Sequence, residues 1–261
     1  MSLMTIDARR GALGGVNALA KLVAALVLGV ALLLSIDPVS AGVSLALTLA
    51  LLPFARLSWR DLWLRVWPIA LSAVIAALGT TLYGRPSGEI YVQWGVLRVS
   101  DGSIELALAI LLRVLAIAVP SVILFATTDP TDLADALGQL ARLPARFVLG
   151  ALAGLRLVGL LIDDWRELGH ARRSRGVADT GRLRRFAGQT FALFVLAIRR
   201  GSKLATAMEA RGFGAPVART WARPSRLRPR DGVLVLLAVG IAAASVGAAV
   251  WAGTWTFVLG L

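Results

Sequence analysis

Two short motifs in the second half of the chain end alike, with a small residue, an arginine and a glycine. They stand 36 residues apart in the sequence. A guanidinium group pairs in bidentate fashion with a carboxylate, so each motif could bind an acidic or carbonyl-lined cleft on a partner. The residues concerned are Ser174, Arg175, Gly176, Ala210, Arg211 and Gly212.

Each motif also predicts the end of a helix. Within a helix, Leu168 would share a face with Arg175, and Leu204 with Arg211, because residues seven positions apart align. Glycine is the usual residue just after a helix, and a cation in the last turn interacts with the helix dipole by about 0.3–1 kcal/mol. Two ordinary helix ends without a further role therefore remain an alternative.

Residues for catalysis or metal binding are scarce. The chain has no cysteine and one histidine, His170, with no partner at metal-ligand spacing. It contains no HExxH, GxSxG or Walker A motif. Asp163, Asp164 and Glu167 could hold a cation, but they adjoin Arg166, which favours a solvated acidic face. We predict no catalytic residue, no metal site and no cofactor, and hence a protein that is not an enzyme.

Composition predicts an all-α, polytopic helical membrane protein. The 261 residues are 57% hydrophobic, and the mean hydropathy is +0.76. Apolar stretches of about 17 residues or more, enough to cross the hydrocarbon layer, recur along the chain. The net charge of +13 would suggest nucleic acid in a soluble protein. Here the positive-inside rule explains it, so we predict a lipid bilayer and no nucleic acid as partners.

The order of segments predicts about five membrane helices in three regions. Region 1–125 holds four of them, 231–261 holds the last, and 126–230 is a basic, amphipathic cytoplasmic module. Asp37-Pro38 separates the first two spans into a tight helical hairpin. Alternating residues 91–99 predict a short β-hairpin around Gly95 in an external loop. The predicted spans in region 1–125 are residues 22–36, 39–54, 66–82 and 104–125.

The cytoplasmic module should begin with an amphipathic helix lying on the membrane. Residues 127–135 combine N-cap residues, a proline and early acids. An apolar stripe on this helix could pack against a partner helix, and it comprises Leu133, Ala136, Leu137 and Leu140. Two further apolar stretches, 147–162 and 186–198, could each be embedded in the membrane or form tilted helices beneath the bundle.

Charge predicts the orientation. All basic residues except Arg85, Arg98 and Arg113 fall in the N-terminal segment, in residues 56–65 or in residues 126–230. We therefore expect the N-terminus and the module to be cytoplasmic in a bacterial plasma membrane. Arg113 lies within a span, where we expect it to hydrogen-bond a neighbouring helix rather than to bind substrate.

Taken together, these residues resemble the transmembrane T component of energy-coupling factor (ECF) transporters, the group that includes CbiQ, BioN and EcfT. The two motifs look like the family's pair of Ala-Arg-Gly signatures, with Ser174 where alanine is commoner. The short first hairpin, the Thr127–Leu133 segment, the Arg/Pro-rich linker and the last span extend the likeness over most of the chain.

The resemblance implies a scaffold without catalytic activity. Two cytosolic ATP-binding-cassette subunits would receive Arg175 and Arg211 in grooves. A separate S component, which binds a vitamin or a transition-metal ion, would be reoriented as ATP closes the ATPase dimer. Leu133, Leu137, Leu140 and Arg113 would then serve packing against the S component or between helices.

Two other functions remain as alternatives. A membrane-embedded lipid-modifying enzyme would need acids or histidines on the membrane face. A conventional ABC importer permease would carry one coupling sequence and polar residues along a route through the spans. The sequence shows neither pattern.

Overall fold

The computed structural model describes residues 12–35, 37–55, 58–84, 87–94, 97–176, 181–215 and 220–255. Over these residues it is an all-α protein with one two-stranded sheet, which confirms the predicted fold class. Arg9, Arg10, Arg56, Arg85 and Gly95 lie outside the described residues, as do Arg219 and the end of the last predicted span. The helices are α1 Ala18–Leu33, α2 Pro38–Ala55, α3 Trp59–Tyr83, α4 Asp101–Ala126, α5 Pro130–Gln139, α6 Ala145–Ser174, α7 Arg182–Ala210 and α8 Pro229–Trp251.

Five of these helices are long and apolar enough to cross a membrane, which confirms the prediction of a multi-pass protein. They are α2, α3, α4, α6 and α8. The predicted span 22–36 falls in α1, which at 16 residues is shorter than these five, so α6 takes its place in the set. The stretch 147–162 lies within α6 and therefore in a helix of spanning length. The stretch 186–198 lies in α7, between charged residues at both of its ends.

The chain forms two compact units, one of residues 12–133 with 226–255 and one of residues 134–225. The first is a bundle in which α1 and α2 pack against α4 and α8, and α3 packs against α4. Many buried positions at these contacts are alanine, such as Ala24, Ala116 and Ala242. Small residues let helix backbones approach closely, which is the usual basis of packing inside a membrane.

The turn between α1 and α2 is organised by Asp37, whose side chain is only 1% exposed. Its carboxylate accepts a hydrogen bond from the Ser40 backbone N–H at 2.6 Å and one from the Ser40 hydroxyl at 2.7 Å. The Ser35 hydroxyl donates to the same carboxylate. Asp37 thus satisfies one of the free N–H groups at the start of α2, which explains why a new helix begins directly after it.

Asp37→Ala is expected to lower the stability of the protein in detergent by about 1–2 kcal/mol, because the cap is lost and buried donors are left unpaired. Thermal unfolding measures this loss. Asp61→Ala is the matched control, since Asp61 sits in the first turn of α3 and makes no side-chain hydrogen bond to another described residue. Equal melting temperatures for the two variants would contradict the capping role.

The turn predicted between α1 and α2 is present, but the two helices do not pack against each other as a hairpin would. The two helices diverge from Asp37 and each packs mainly on α4 and α8 rather than on the other. Hydrophobic side chains of α1, α4 and α8 fill one cluster, around Leu28 and Leu124. Those of α2, α3 and α4 fill another, around Leu52 and Val119.

Polar contacts hold the start of α1 against the start of α8. Asp231 is 3% exposed and accepts hydrogen bonds from the backbone N–H groups of Asn17 at 2.7 Å and Arg228 at 2.6 Å. Lys21 donates from Nζ to the carbonyl of Thr127 at 2.6 Å. The beginning of α1, the end of α4 and the beginning of α8 therefore meet at one end of the bundle.

The structure tests two further predictions, the β-hairpin and the start of α3. Strands β1 Ile90–Trp94 and β2 Leu97–Ser100 pair in antiparallel fashion, which confirms the β-hairpin. Helix α3 begins at Trp59, seven residues before the predicted span, so Pro68 lies inside the helix rather than near its start. Trp59 and Trp63 are each 67% exposed, as expected of side chains that face lipid or its interface.

Candidate functional site

The two arginine motifs form matching helix ends. Helix α6 ends at Ser174 and helix α7 at Ala210, and Arg175 and Arg211 are the C-cap residues. The following glycines, Gly176 and Gly212, have φ values of 68° and 75°. A side chain with a Cβ is disfavoured in this left-handed conformation, which explains the glycine in each motif.

Hydrogen bonds at the end of α7 form a Schellman motif. The Gly212 N–H donates to the carbonyl of Glu209 at 2.9 Å, and the Phe213 N–H donates to that of Met208 at 2.9 Å. At the end of α6, the Gly176 N–H donates to the carbonyl of Arg173 at 3.1 Å, which is the corresponding first bond. Each arginine is thus held on a defined turn rather than on a frayed end.

Gly212→Ala is expected to cost about 1 kcal/mol and to loosen the end of α7, because alanine disfavours a φ of 75°. Gly201→Ala is the matched control in the interior of α7. A Cβ at either position would meet nothing within 4 Å, so only backbone conformation differs. We expect Gly201→Ala to stabilise the helix by up to about 1 kcal/mol. Hydrogen exchange of the amides of residues 208–213 measures the difference, and equal protection in both variants would contradict it.

Arg175 and Arg211 are exposed and available to a partner. Within the part of the chain that the structure describes, neither makes an ion pair or a side-chain hydrogen bond. Leu168, Arg172, Leu204 and Met208, which precede them on the same faces, are half-buried. A guanidinium group without an internal partner at each helix end fits the predicted role and does not test it.

Helices α6 and α7 cross each other near Trp165. The Gln189 amide donates from Nε2 to the Trp165 carbonyl at 2.6 Å, and the ring of Phe186 meets that of Trp165 edge-on at 5.6 Å between centroids. Arg172 lies over Gly188, where a Cβ would come within 3.2 Å of the guanidinium. These contacts fix where the two helices touch.

The strongest polar contact of the crossing is an ion pair that the sequence did not predict. Arg200 donates from Nη1 and Nη2 to the two carboxylate oxygens of Asp164 at 2.6 and 3.1 Å. The Asp164 side chain is 12% exposed, so the expectation of a wholly solvated acidic face is wrong for this residue. Asp163 fits that expectation, with 61% exposure and an exposed contact to Arg166 at 3.4 Å.

The structure does not bring the two signature arginines together. Contacts pair Asp164 with Arg200 and Arg172 with Gly188, so the helices run in opposite directions through the crossing. Gly169 faces the Gln189 side chain and so marks the crossing on both helices. From there, Arg175 lies six residues further along α6, or about 9 Å, and Arg211 lies 22 residues further along α7, or about 33 Å. The two helix ends therefore point away from the crossing on opposite sides.

The apolar stripe predicted after residue 127 falls on α5 and just beyond it. Leu133, Leu137 and Leu140 are half-buried, and Leu140 follows the last residue of the helix. The predicted helix start is confirmed, since the Asp129 carboxylate accepts from the Thr131 N–H at 2.7 Å. A role of the leucines in binding a partner remains a prediction.

The residues that follow the second motif return to α5. Gln139 donates from Nε2 to the Arg223 carbonyl at 2.8 Å and accepts from the Ser225 N–H at 2.8 Å. The ring of Trp221 lies against Gly138, where a Cβ would come within 2.8 Å of it. These contacts hold residues 221–225 close to α5.

Arg113 lies in the middle of α4 and is half-buried. Its Nε and Nη2 atoms are buried and have no hydrogen-bond partner among the described residues, so the predicted bonds to a neighbouring helix are not found. Asp37 is close enough to interact with it electrostatically. The sequence correctly placed the charge inside a span but could not identify this acid.

Comparison with known proteins decides the family. Residues 12–220 match the family described as cobalt transport protein, CbiQ. The chain belongs to this family. The match covers the bundle helices α1 to α4, helix α5, and both crossing helices with their arginine ends.

Relatives of this CbiQ-family chain are named energy-coupling factor transporter transmembrane protein EcfT. The protein from Limosilactobacillus fermentum is 31% identical over 196 residues, which is 70% of this chain and 72% of the relative. That from Brevibacillus brevis is 30% identical over 67% and 69% of the two chains. That from Streptococcus equi subsp. equi is 27% identical over 75% and 77%. The chain is thus a T component of the ECF type, which implies a non-catalytic transport subunit.

The geometry of the CbiQ-family chain contains no arrangement of metal-binding side chains within the described ranges. No three His, Asp or Glu side chains come together there. The candidate site is therefore the pair of exposed arginines, one at the far end of α6 and one at the far end of α7, and its role in binding a partner remains a prediction.

Proposed function

We propose that this chain couples ATP hydrolysis by two cytosolic ATPase subunits to reorientation of a substrate-binding S component. The transported substrate is a vitamin or a transition-metal ion. The names of the relatives, which place them in energy-coupling factor transporters, support this function.

The observation that carries the proposal is the repetition of one exposed arginine end on two crossing helices. Arg175 and Arg211 have the same C-cap position, the same following glycine and no internal partner among the described residues. They point away from each other, so a single groove cannot receive both. Two similar grooves, one on each subunit of an ATPase dimer, match this arrangement.

The Asp164–Arg200 pair gives the crossing a mechanical role in the proposal. As the ATPase dimer closes, it would draw the two arginine ends toward each other. The movement then passes through the crossing to helices that contact the S component, including the leucines of α5. The N-terminus and residues 126–230 face the cytoplasm in this arrangement, as the distribution of basic residues predicts. Helix α6, although long and apolar enough to cross a membrane, then serves as a coupling helix on the cytoplasmic side.

Cysteine cross-linking tests the proposal, because the chain has no cysteine of its own. Ser174→Cys and Ala210→Cys both lie at exposed positions and adjoin the two arginines. With a reagent that joins a maleimide to a photoactivated benzophenone, applied to native membranes, we expect each variant to form an adduct with an ATPase subunit, because benzophenone inserts into C–H bonds and needs no cysteine on the partner. The variant with both cysteines should capture two subunits.

Tyr83→Cys is the matched control, since Tyr83 is 68% exposed and ends α3 at the opposite end of the bundle from Thr127. No ATPase adduct is expected there. Adducts at position 83 with none at positions 174 and 210 would overturn the assigned roles.

A further inference from the structure

An apolar cleft opens between α1, α2, α4 and α8. It lies near the start of α1 and the end of α2, which are the ends of these helices farthest from Asp37. Its volume is about 140 Å³. The side chains that line it come from all four helices and include Ala24, Leu28, Leu52, Leu124, Leu234 and Ala238. A buried water needs two to four polar partners, and the lining of this cleft is almost wholly apolar, so the cleft would favour an apolar occupant over water.

The cleft opens sideways between α2 and α8. Phe54 and Leu237 line it and are 70% and 47% exposed, and Leu51 beside them is 37% exposed. In a membrane protein, exposed apolar side chains on spanning helices face the acyl chains of lipids. The opening is therefore accessible from the bilayer.

A cation lies at the end of the cleft where the basic linker enters α8. Arg230 precedes Leu234 by one helical turn and Ala238 by two, so it stands on the face of α8 that lines the cleft. Its Nη1 lies 3.9 Å from the position of a Cβ at Gly15, two residues after the lining residue Leu13.

The charge of Arg230 is available to a ligand. The residue is exposed and makes no ion pair with another described residue. Lys21, on the same face as Ala24, is only 3% exposed and already bonds the carbonyl of Thr127. Arg226 and Arg228 precede Arg230 in the same linker, and basic clusters beside a spanning helix attract anionic lipids.

We propose that this cleft is a binding site for one anionic phospholipid, with an acyl chain among the side chains of α1, α2, α4 and α8 and the phosphate at Arg230. The cleft volume of about 140 Å³ is far too small for a helix with side chains about 10–12 Å across and matches part of one hydrocarbon chain. Arg230 favours lipids that carry negative charge.

Native mass spectrometry of the full-length protein in detergent tests the proposal. Phosphatidylglycerol and phosphatidylcholine with identical acyl chains are added in turn to the delipidated protein. We expect one phosphatidylglycerol to be retained more tightly than phosphatidylcholine. Phosphatidylglycerol with acyl chains of about six carbons should bind more weakly, since it buries fewer methylene groups. Equal retention of both headgroups by the unmodified protein would overturn the proposal without any variant.

Two variants locate the site. Arg230→Gln should weaken phosphatidylglycerol binding about fivefold and phosphatidylcholine binding clearly less, because the choline group already offsets the charge of the phosphate that both lipids carry. Arg60→Gln is its control, since Arg60 is exposed on α3 and does not line the cleft, and an equal loss there would show diffuse attraction and contradict a defined site. Ala238→Leu fills the cleft and should reduce binding of both lipids at least about tenfold.

Ala243→Leu is the control for Ala238→Leu, since Ala243 is exposed on α8 and does not line the cleft. Thermal unfolding verifies that both leucine variants fold. Unchanged lipid retention in folded Ala238→Leu would overturn the proposal. If that variant instead released a co-purifying membrane protein while it kept its lipid, the cleft would be a protein-binding surface and the lipid assignment would be wrong.

Discussion

Replacing Arg175 and Arg211 together with glutamate is expected to abolish co-purification of the ATPase subunits while the chain still inserts into the membrane. Each side chain is exposed, and neither makes a bond to another described residue, so the fold loses only a favourable interaction with the helix dipole. That interaction is worth about 0.3–1 kcal/mol. The partner, in contrast, would lose a bidentate contact and face a repelling carboxylate. Affinity purification followed by quantification of the ATPase subunits measures the effect.

Arg184→Glu combined with Arg199→Glu is the matched control. Both residues are exposed on α7, and the change in net charge is the same. We expect this variant to keep its ATPase subunits. A variant with lysine at positions 175 and 211 should retain the ATPase subunits only in part. Lysine keeps the positive charge but lacks the planar set of N–H donors with which arginine binds a carboxylate in bidentate fashion. Full binding by the Arg175→Glu/Arg211→Glu variant would contradict the role assigned to the two helix ends.

The second large effect is expected at the crossing of α6 and α7. Arg200→Asp leaves two carboxylates facing each other at a site where Asp164 is 12% exposed. Loss of one partner of a buried ion pair costs about 3–5 kcal/mol, and the 40% exposure of Arg200 reduces this here to about 1–3 kcal/mol. We expect the relative position of α6 and α7 to become variable. The reversed pair, Asp164→Arg with Arg200→Asp, should restore it.

Spin labels on cysteines at positions 174 and 210 measure this effect by pulsed electron paramagnetic resonance. A narrow distance distribution is expected for the unmodified crossing and for the reversed pair, and a broad one for Arg200→Asp alone. Arg166→Ala is the control, because it removes the exposed contact to Asp163 within α6, and such pairs contribute about 0–1 kcal/mol. Identical distributions in all variants would show that the ion pair does not hold the crossing.

Local sequence signals predicted the elements of this fold well. Glycine after arginine marked the ends of α6 and α7, Asp37-Pro38 marked the first turn, and alternating residues marked the β-hairpin. Each of these signals acts within a few residues, since caps and turns satisfy their own backbone groups. The start of α3 was predicted too late because Pro68 resembles a first-turn proline, although the helix accommodates it in its interior.

Contacts between distant segments could not be predicted. Asp164 and Arg200 are 36 residues apart, and each stands beside another residue of like charge, so the sequence did not indicate which acid meets which base. The packing of α1 and α2 on α4 and α8, rather than on each other, likewise depends on how small residues fit between helices. The cleft beside Arg230 follows from that packing and has no signature in the sequence.

The mass of the intact complex tests the central claim most directly. The chain is purified from its native membrane in mild detergent by an affinity tag and weighed by native mass spectrometry. The account predicts one copy of this chain with two ATPase subunits and a small membrane protein, whose identity would indicate the substrate. Recovery of the chain alone, with the ATPase subunits present in the lysate and absent from the eluate, would contradict it.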